Sequence, residues 1–471
     1  MKIERLKTVL FLCLIGCMSS ISSLYAQEST VLPDSLLQTG TMGKQPGQWT
    51  LEDCIDYALK ENISLQKSRI NVETATVDLK TAKAALFPSL SFSTSHNLVN
   101  RPYQESSSTV SGTEILYSNN KTSYNGNYGL NAQWTLYNGS RRQKTIEQEL
   151  LNSRIAELNV NTTANSIEEG ITQLYVQILY AAESVNVNEN TLAVSRAQCE
   201  RGKQLLEAGS LSKADYAQLE SQVSSDNYQL VTSQAALEDY KLQLKQLLEL
   251  DGKQELSLYL PSLADALILI PLPDKGEVFR NAMEIRPEIQ SGKLNVAASE
   301  LDIDIARSGY MPSINLTAGI GTNNTSGSDF TFMQQVKNGW NNSIGVSLSV
   351  PIFNNRQTKS AVHKAKLQHE STRLDLVETQ KELYKVIEGL WLDANSAQQQ
   401  YIAAKEKLRS MQVSFDLVNE QFNLGMKNTL ELLTEKNNLL SAQQELLQAK
   451  YMAVLNMQLL KFYQGEDIVI E

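Results

Sequence analysis

The sequence predicts a mainly α-helical chain in which long antiparallel coiled-coil helices carry four transmembrane β-strands. Three observations predict it. Two long tracts lack proline, four shorter segments alternate apolar with small polar residues, and an internal repeat presents both patterns twice.

Only 10 of the 471 residues are proline, with none between Pro102 and Pro261 and none after Pro351. Proline costs about 3 kcal/mol inside a helix, so these tracts, rich in Leu, Ala, Gln, Glu and Lys, favour long helices. The formal charge is -10 and no basic run is present, which argues against a nucleic-acid partner.

The chain begins with an address. Lys2, Arg5 and Lys7 precede the apolar run TVLFLCLIGCM, too short for an ordinary spanning helix and flanked like a secretory signal. Residues 1–26 are expected to be the signal peptide, cut after Ala26, with 27–49 an N-terminal extension. The alternative is that LIGC is a lipobox and Cys17 is lipidated. Cys54 and Cys199 lie outside the leader and are expected to be unpaired thiols near the ends of different helices.

A constant offset pairs Ala58 with Ala282, Asn71 with Asn295, Asp78 with Asp302, Ala82 with Ala306 and Pro88-Ser89 with Pro312-Ser313. After the strands a slightly smaller offset pairs Tyr137 with Phe353, Asn138 with Asn354 and Gly209 with Gly425. Each copy reads helix, strand, loop, strand, very long helix, turn, helix. The copies are expected at 50–252 and 279–465, with a linker at 253–278 holding Pro261, Pro271 and Pro273, and a tail at 466–471.

Ser140 to Ala208 and Arg356 to Leu424 are equally long, and at about 1.5 Å per residue each helix would reach roughly 100 Å. Each tract ends at a glycine, in EAGSLSK and NLGMKNT, where a left-handed residue stops a helix. The returning helices show heptads: Tyr216, Val223, Leu230, Leu237 and Leu244 in one, Leu432, Leu439, Leu446, Ala453 and Leu460 in the other. Such spacing makes a seam for a partner helix.

The strands separate this chain from a plain coiled coil. Leu90, Phe92, Thr94, His96 and Leu98 share a face opposite Ser89, Ser91, Ser93, Ser95 and Asn97. Tyr124, Tyr128, Leu130, Ala132, Trp134 and Leu136 oppose Asn125, Asn127, Asn131, Gln133 and Thr135. Ile314 to Ile320 and Ile344 to Ile352 alternate in the same way. One apolar and one small polar face over about ten residues is the pattern of a membrane barrel wall.

Phe87, Tyr137, Tyr310 and Phe353 mark the four helix–strand junctions, and Tyr124 and Trp340 open the two returning strands. The distance from Tyr124 to Tyr137 is about 43 Å along a strand, or roughly 33 Å of height at a tilt near 40°. These six aromatics are therefore expected at the two membrane interfaces. Four strands leave two open edges, and spanning barrels need about eight strands or more. Copies must pool strands, and the count alone excludes only the monomer.

The pattern TLEDCIDYALKENISL, the stretches RPEIQ through ARSGYMPS and LSVPIFNN, and the turns GSLSKAD and GMKNTLELL resemble the TolC family of outer-membrane efflux and secretion channels. The resemblance covers nearly the whole mature chain. It implies a homotrimer with a shared 12-stranded β-barrel in outer-membrane lipid, continued by an α-helical barrel through the periplasm. It also implies a periplasmic adaptor and an inner-membrane pump as partners, and no catalysis. Drug efflux, metal efflux and type I secretion share such a duct, and the pump selects the cargo.

In that topology the loops at 101–122 and 322–339 face outward, and the turns at Gly209, Ser210, Gly425 and Lys427 form the periplasmic tip that meets the adaptor. The family closes its tip with acidic residues of the second repeat. Glu431 matches one such position; the other carries Thr434, with Glu435 beside it. Asp215 is the first-repeat equivalent of Glu431, and Phe422 matches a position that helps hold the tip closed. Asp215 and Glu431 also suit the start of a helix, where acidic residues favour the dipole.

No cofactor or metal is expected. His363 and His369 are too far apart in sequence for an i, i+4 ligand pair, and no G-x-x-x-x-G-K-[ST], H-E-x-x-H or G-x-S-x-G occurs. The rival architecture is a secreted or lipid-anchored periplasmic coiled-coil scaffold whose strands form a small sheet.

Overall fold

The structure, a computed structural model, describes residues 48–103, 107–111, 114–118, 121–251, 256–261, 268–326 and 328–470. The expected signal peptide and Cys17 lie outside the described residues. Helices α1 (Leu51–Glu61) and α2 (Ile63–Ala84) lead into strand β1 (Ser89–Asn100), then strands β2 (Ser107–Ser111), β3 (Glu114–Ser118) and β4 (Thr122–Tyr137). Helix α3 (Arg141–Glu207) descends and α4 (Lys213–Leu247) returns. The second half runs α5 (Lys275–Ile285), α6 (Pro287–Arg307), β5 (Ser313–Thr325), α7 (Phe332–Asn338), β6 (Asn341–Ser349), α8 (Gln357–Asn423) and α9 (Thr429–Gln464).

The single helix expected before each first strand is two helices, and the break is local. Asn62, in extended backbone, ends α1, caps α2 by accepting from Ser64 N (2.9 Å) and Leu65 N (3.3 Å), and donates from Nδ2 to Leu247 O (3.0 Å). Arg286, also extended, occupies the same place in the second half, and Pro287 follows at the first helical position, where its missing N–H is harmless.

Arg286 is almost fully buried. It donates to Glu169 Oε1 (2.9 Å) on α3 and Glu288 Oε1 (3.0 Å) on α6, and its guanidinium lies over the rings of Phe462 and Tyr463 on α9. One side chain thus ties together elements of both halves, and Arg suits the place because its planar fork pairs and stacks at once.

The segment expected as a linker is less free than its prolines suggest. Helix α5 begins inside it, capped by Asp274, which accepts from Glu277 N (3.0 Å). Trp391 Nε1 on α8 donates to Pro273 O (3.0 Å), Gln398 Nε2 donates to Ile268 O and Ile270 O, and the Tyr175 hydroxyl on α3 donates to Tyr259 O. A core follows from these contacts: Val278, Ala282, Ile289, Leu383, Ile387, Ala394, Leu460 and Tyr463 pack where α5, α6, α8 and α9 meet. Cys54 is buried and Cys199 half-buried, and both are free thiols. Burial raises the Cys54 pKa to about 12, with Asp53 adding to the shift, so it is inert at neutral pH.

The main sheet has the order β1-β4-β5-β6, every pair antiparallel. The loop at 101–122 holds the β2–β3 hairpin, and the loop at 322–339 holds α7, neither of them anticipated from loop composition.

Candidate functional site

The register makes one apolar sheet face. Leu90 pairs with Ala132, Phe92 with Leu130 and Thr94 with Tyr128; Leu130 pairs with Ile320 and Trp134 with Leu316; Leu316 pairs with Val346 and Ala318 with Ile344. Leu90, Ile344, Val346 and Leu348 are each at least 65% exposed. Nothing among the described residues covers them. A register shift between Thr135 and Tyr137 sets Tyr137 opposite Ile314, so the bulge turns that junction aromatic onto the apolar face.

The other face is polar and bonded to itself. Asn131 Nδ2 donates to Ser93 Oγ (3.4 Å), Asn127 Nδ2 to Ser95 Oγ (3.4 Å), Thr135 Oγ1 to Asn315 Oδ1 (2.8 Å) and Thr325 Oγ1 to Asn125 Oδ1 (2.7 Å). Outside hydrocarbon and inside small and polar is the lining of a water-filled barrel. The strand edges β1 and β6 have no partner strand among the described residues.

The helix–strand junctions satisfy the groups that a helix end exposes. Arg142 donates to Ala85 O and Thr135 O, and Trp134 Nε1 donates to Leu86 O (2.8 Å). Gly139 and Ser140 turn left-handed before α3, as Asn355 and Arg356 do before α8. A side chain at Gly139 would meet Met311 Cβ at 2.6 Å, so glycine is required there for space as well as for its φ. Phe87, Tyr310 and Phe353 are exposed at these junctions, and Trp340 is exposed at the other end. Tyr124 is half-buried, its hydroxyl 2.6 Å from His96 Nδ1.

At the far ends of the long helices, Gly209 (φ 75°) and Gly425 (φ 74°) are left-handed with nothing near a hypothetical Cβ. They serve the backbone turn rather than close packing. Gly209 N donates to Leu206 O and Ser210 N to Leu205 O; Gly425 N donates to Phe422 O and Met426 N to Gln421 O. Ser212 caps α4 by accepting from Asp215 N (3.0 Å), and its hydroxyl donates to Asp215 Oδ2 (2.6 Å).

Glu431 has both oxygens engaged. Lys427 Nζ donates to Oε1 (2.7 Å) and Asn428 N to Oε2 (3.2 Å), while Asn428 Oδ1 accepts from Glu431 N (2.9 Å). The Lys427 hydrogen bond, with help from Asn428, holds its carboxyl below the usual range. Glu435 accepts from Ser414 Oγ on α8 (3.0 Å). Phe422 is buried with Leu219, Phe415, Leu432 and Leu439. The structure thus groups Glu431, Lys427, Gly425 and Phe422 at the second turn and Gly209, Ser210 and Asp215 at the first. Leu219 joins the two through the Phe422 cluster.

Sequence reasoning missed Lys436. Buried at 3% exposure, its ammonium donates to Asp226 Oδ2 on α4 and Ser195 Oγ on α3. Burial pulls its pKa down, and Asp226 opposes that shift. The one available signal was Asp226 and Ser233 in register with Leu219 at a seven-residue spacing, a seam position occupied by polar residues.

Among the described residues no cluster of His, Cys, Asp and Glu could hold a metal ion, and no helix is long and apolar enough to cross a membrane. The latter says nothing of the strands. His369 Nδ1 lies 2.9 Å from the Oγ of Ser299, which lines a groove between α3, α6 and α8.

An open sheet, apolar outside and polar inside, set on helical hairpins of roughly 100 Å defines an outer-membrane channel subunit. The chain belongs to the outer membrane efflux protein family, whose model matches residues 54–249 and 278–466. It is similar to the outer membrane efflux protein BepC of Brucella suis, 22% identical over 427 residues covering 89% of this chain and 87% of that protein. It is also similar to the cation efflux system protein CusC of Escherichia coli, 23% identical over 459 residues covering 94% and 95%. A third relative is the alkaline protease secretion protein AprF of Pseudomonas aeruginosa, 22% identical over 386 residues covering 81% and 77%. A crystal structure of CusC superposes with a TM-score of 0.74 at 20% identity, covering 90% of this chain and 95% of that one. Membership of this family places the chain in the outer membrane, in a family of channels rather than enzymes.

Replacing Lys436 by Ala leaves the Asp226 carboxylate buried with only neutral partners, which costs about 3–5 kcal/mol. Denaturant unfolding of the purified protein in detergent is expected to show that loss, and Lys436→Met combined with Asp226→Leu is expected to restore most of it.

Proposed function

We propose that three copies of this chain form the exit duct of a tripartite efflux or type I secretion system, conducting passively from an inner-membrane pump and periplasmic adaptor to the exterior. One observation carries this reading: among the described residues the sheet has two open edges and an uncovered apolar face. Backbone N–H and C=O groups cannot be left bare in hydrocarbon, where each costs several kcal/mol. Edge β1 of one copy therefore pairs with edge β6 of the next, and three copies of four strands close at twelve. The choice of three rests on the family resemblance, since the hydrogen-bond argument requires only that the ring close.

Each chain is best described as two units, 50–252 and 279–465, that contribute one strand pair and one helical hairpin each. Phe87, Tyr137, Tyr310 and Phe353 form the periplasmic girdle, and Tyr124 and Trp340 the outer one. Gly209, Ser210, Gly425 and Lys427 present the surface that docks the adaptor. Relatives named for cation efflux and for protease secretion are both similar over most of the chain, so the duct is assigned no single cargo. The scaffold alternative loses ground because a soluble sheet would not leave so much apolar face uncovered.

In a variant with Cys54 and Cys199 replaced by Ser, cysteines introduced on β1 at Ser93 or Ser95 and on β6 at Ser343 or Ser347 are expected to crosslink between chains. Denaturing gels are then expected to show linked dimers and trimers and nothing larger. Links confined to dimers, or ladders running past three, contradict the proposed ring.

The tip mouth is proposed to be ringed by Glu431 and Asp215, with Glu435 behind them and Phe422 packing the turn shut. Three carboxylates around a narrow entrance favour cations. Because the Glu431 pKa is depressed, its ion pair with Lys427 is fully present above the ordinary glutamate range near pH ~4.3. The pair is lost as pH falls through the depressed value. Single-channel recordings are expected to show cation preference that persists to mildly acidic pH and then declines, with Glu431→Gln reducing it at every pH. Identical selectivity in the two proteins removes Glu431 from the gate.

A further inference from the structure

Helix α7 lies in the second outer loop, where it could arch over the pore mouth or lie against the outside of the wall. Two contacts decide which. Thr322 Oγ1 donates to Val336 O (2.8 Å), and the Tyr128 ring meets Phe332 edge-on, centroids 6.4 Å apart. Tyr128 and Thr322 face one another in the β4–β5 register, in the row that continues Leu130 and Ile320 on the apolar face. The helix is therefore held on the outward side of the wall.

Its local sequence fits that seat. A capping box between Thr331 and Gln334 starts the helix, and Gln335 locks it by accepting from Thr325 N (2.7 Å) and donating to Phe330 O (2.9 Å). At 3.6 residues per turn Phe332, Val336 and Met333 fall within an arc of about 100°, while Gln334 and Asn338 take the far side. Phe330, Phe332 and Met333 are each more than half exposed.

Depth and neighbours narrow the occupant. From Tyr137 at the lower junction to Tyr128 is about 30 Å along the strand, or roughly 23 Å of height at a tilt near 40°. An apolar barrel band is about 25 Å tall, so Phe332 sits at its outer rim. Tyr128 and Thr322 belong to the two central strands, away from the edges where another copy would attach.

We propose that α7 is an interfacial anchor that inserts Phe330, Phe332 and Met333 into the outer leaflet, at the boundary of head groups and acyl chains. The membrane surface is thus its partner, and the anchor continues the lipid-facing wall around the pore mouth. It rests on lipid facing the apolar side of the strands.

The test uses full-length protein with Cys54→Ser and Cys199→Ser, reconstituted in phosphatidylcholine–phosphatidylglycerol vesicles. Nitroxides are attached to single cysteines at Met333, at Asn338 on the polar side, and at Ile344 on β6. Collision with oxygen is expected to exceed collision with a water-soluble nickel chelate several-fold at 333 and 344, with the reverse at 338. Nickel access at 333 with a lipid-like 344 overturns the anchor and leaves the wall intact. Exclusion of both reagents at 333 assigns the face to protein instead of lipid, which also overturns it. Nickel access at 344 refutes the lipid-facing wall and the anchor together.

Discussion

The edges of the sheet govern everything else. Four strands in the order β1-β4-β5-β6 satisfy the backbone groups between them, and among the described residues the outer sides of β1 and β6 have no partner strand. In water such edges are a liability that charge or proline can blunt. Beneath an apolar face made of Leu90, Phe92, Ile344 and Val346 they face hydrocarbon, where only another strand can satisfy them. The proposed pairing between copies follows from that one requirement.

The helical part meets a different constraint. Helices of roughly 100 Å cannot be buried in one core, so buried side chains recur along them, Ile171, Tyr175 and Leu179 on α3 among them, and two clusters join the helices. One is the cluster around Ile289, Ile387 and Leu460, tied by Arg286; the other is the Phe422 cluster at the turns. Between them the seam is partly polar, and Lys436, Asp226 and Ser195 are buried there together. A buried ion pair adds little net stability, yet a slip of one turn would separate both charges from their partners. The left-handed turns at Gly209 and Gly425 end α3 and α8 at equivalent points.

Long-period features were legible in the sequence because they are carried by many residues at once. The proline-free tracts gave α3 and α8 to within about one residue at either end, within the spread of any helix-end assignment. Strict alternation gave β1, β4, β5 and β6 with their faces. Features that rest on one or two residues were not visible. Asn62 and Arg286 break helices through contacts with Leu247, Glu169 and Tyr463, all distant in sequence. Helix α7 is too short to show a period, and its seat depends on Tyr128. At the tip, Glu431, Lys427 and Phe422 could be located by motif, whereas the partners of Lys436 lie on two other helices and have no local signature.

If the ring closes, both sheet edges are paired in the assembled protein, and backbone amide hydrogen exchange along β1 and β6 in membrane-reconstituted protein reports that pairing. Closure predicts that amides of β1 and β6 are protected as strongly as those of β4 and β5, along the whole apolar height. Fast exchange confined to the two edge strands, with β4 and β5 protected, would show that the sheet stays open and contradict the account.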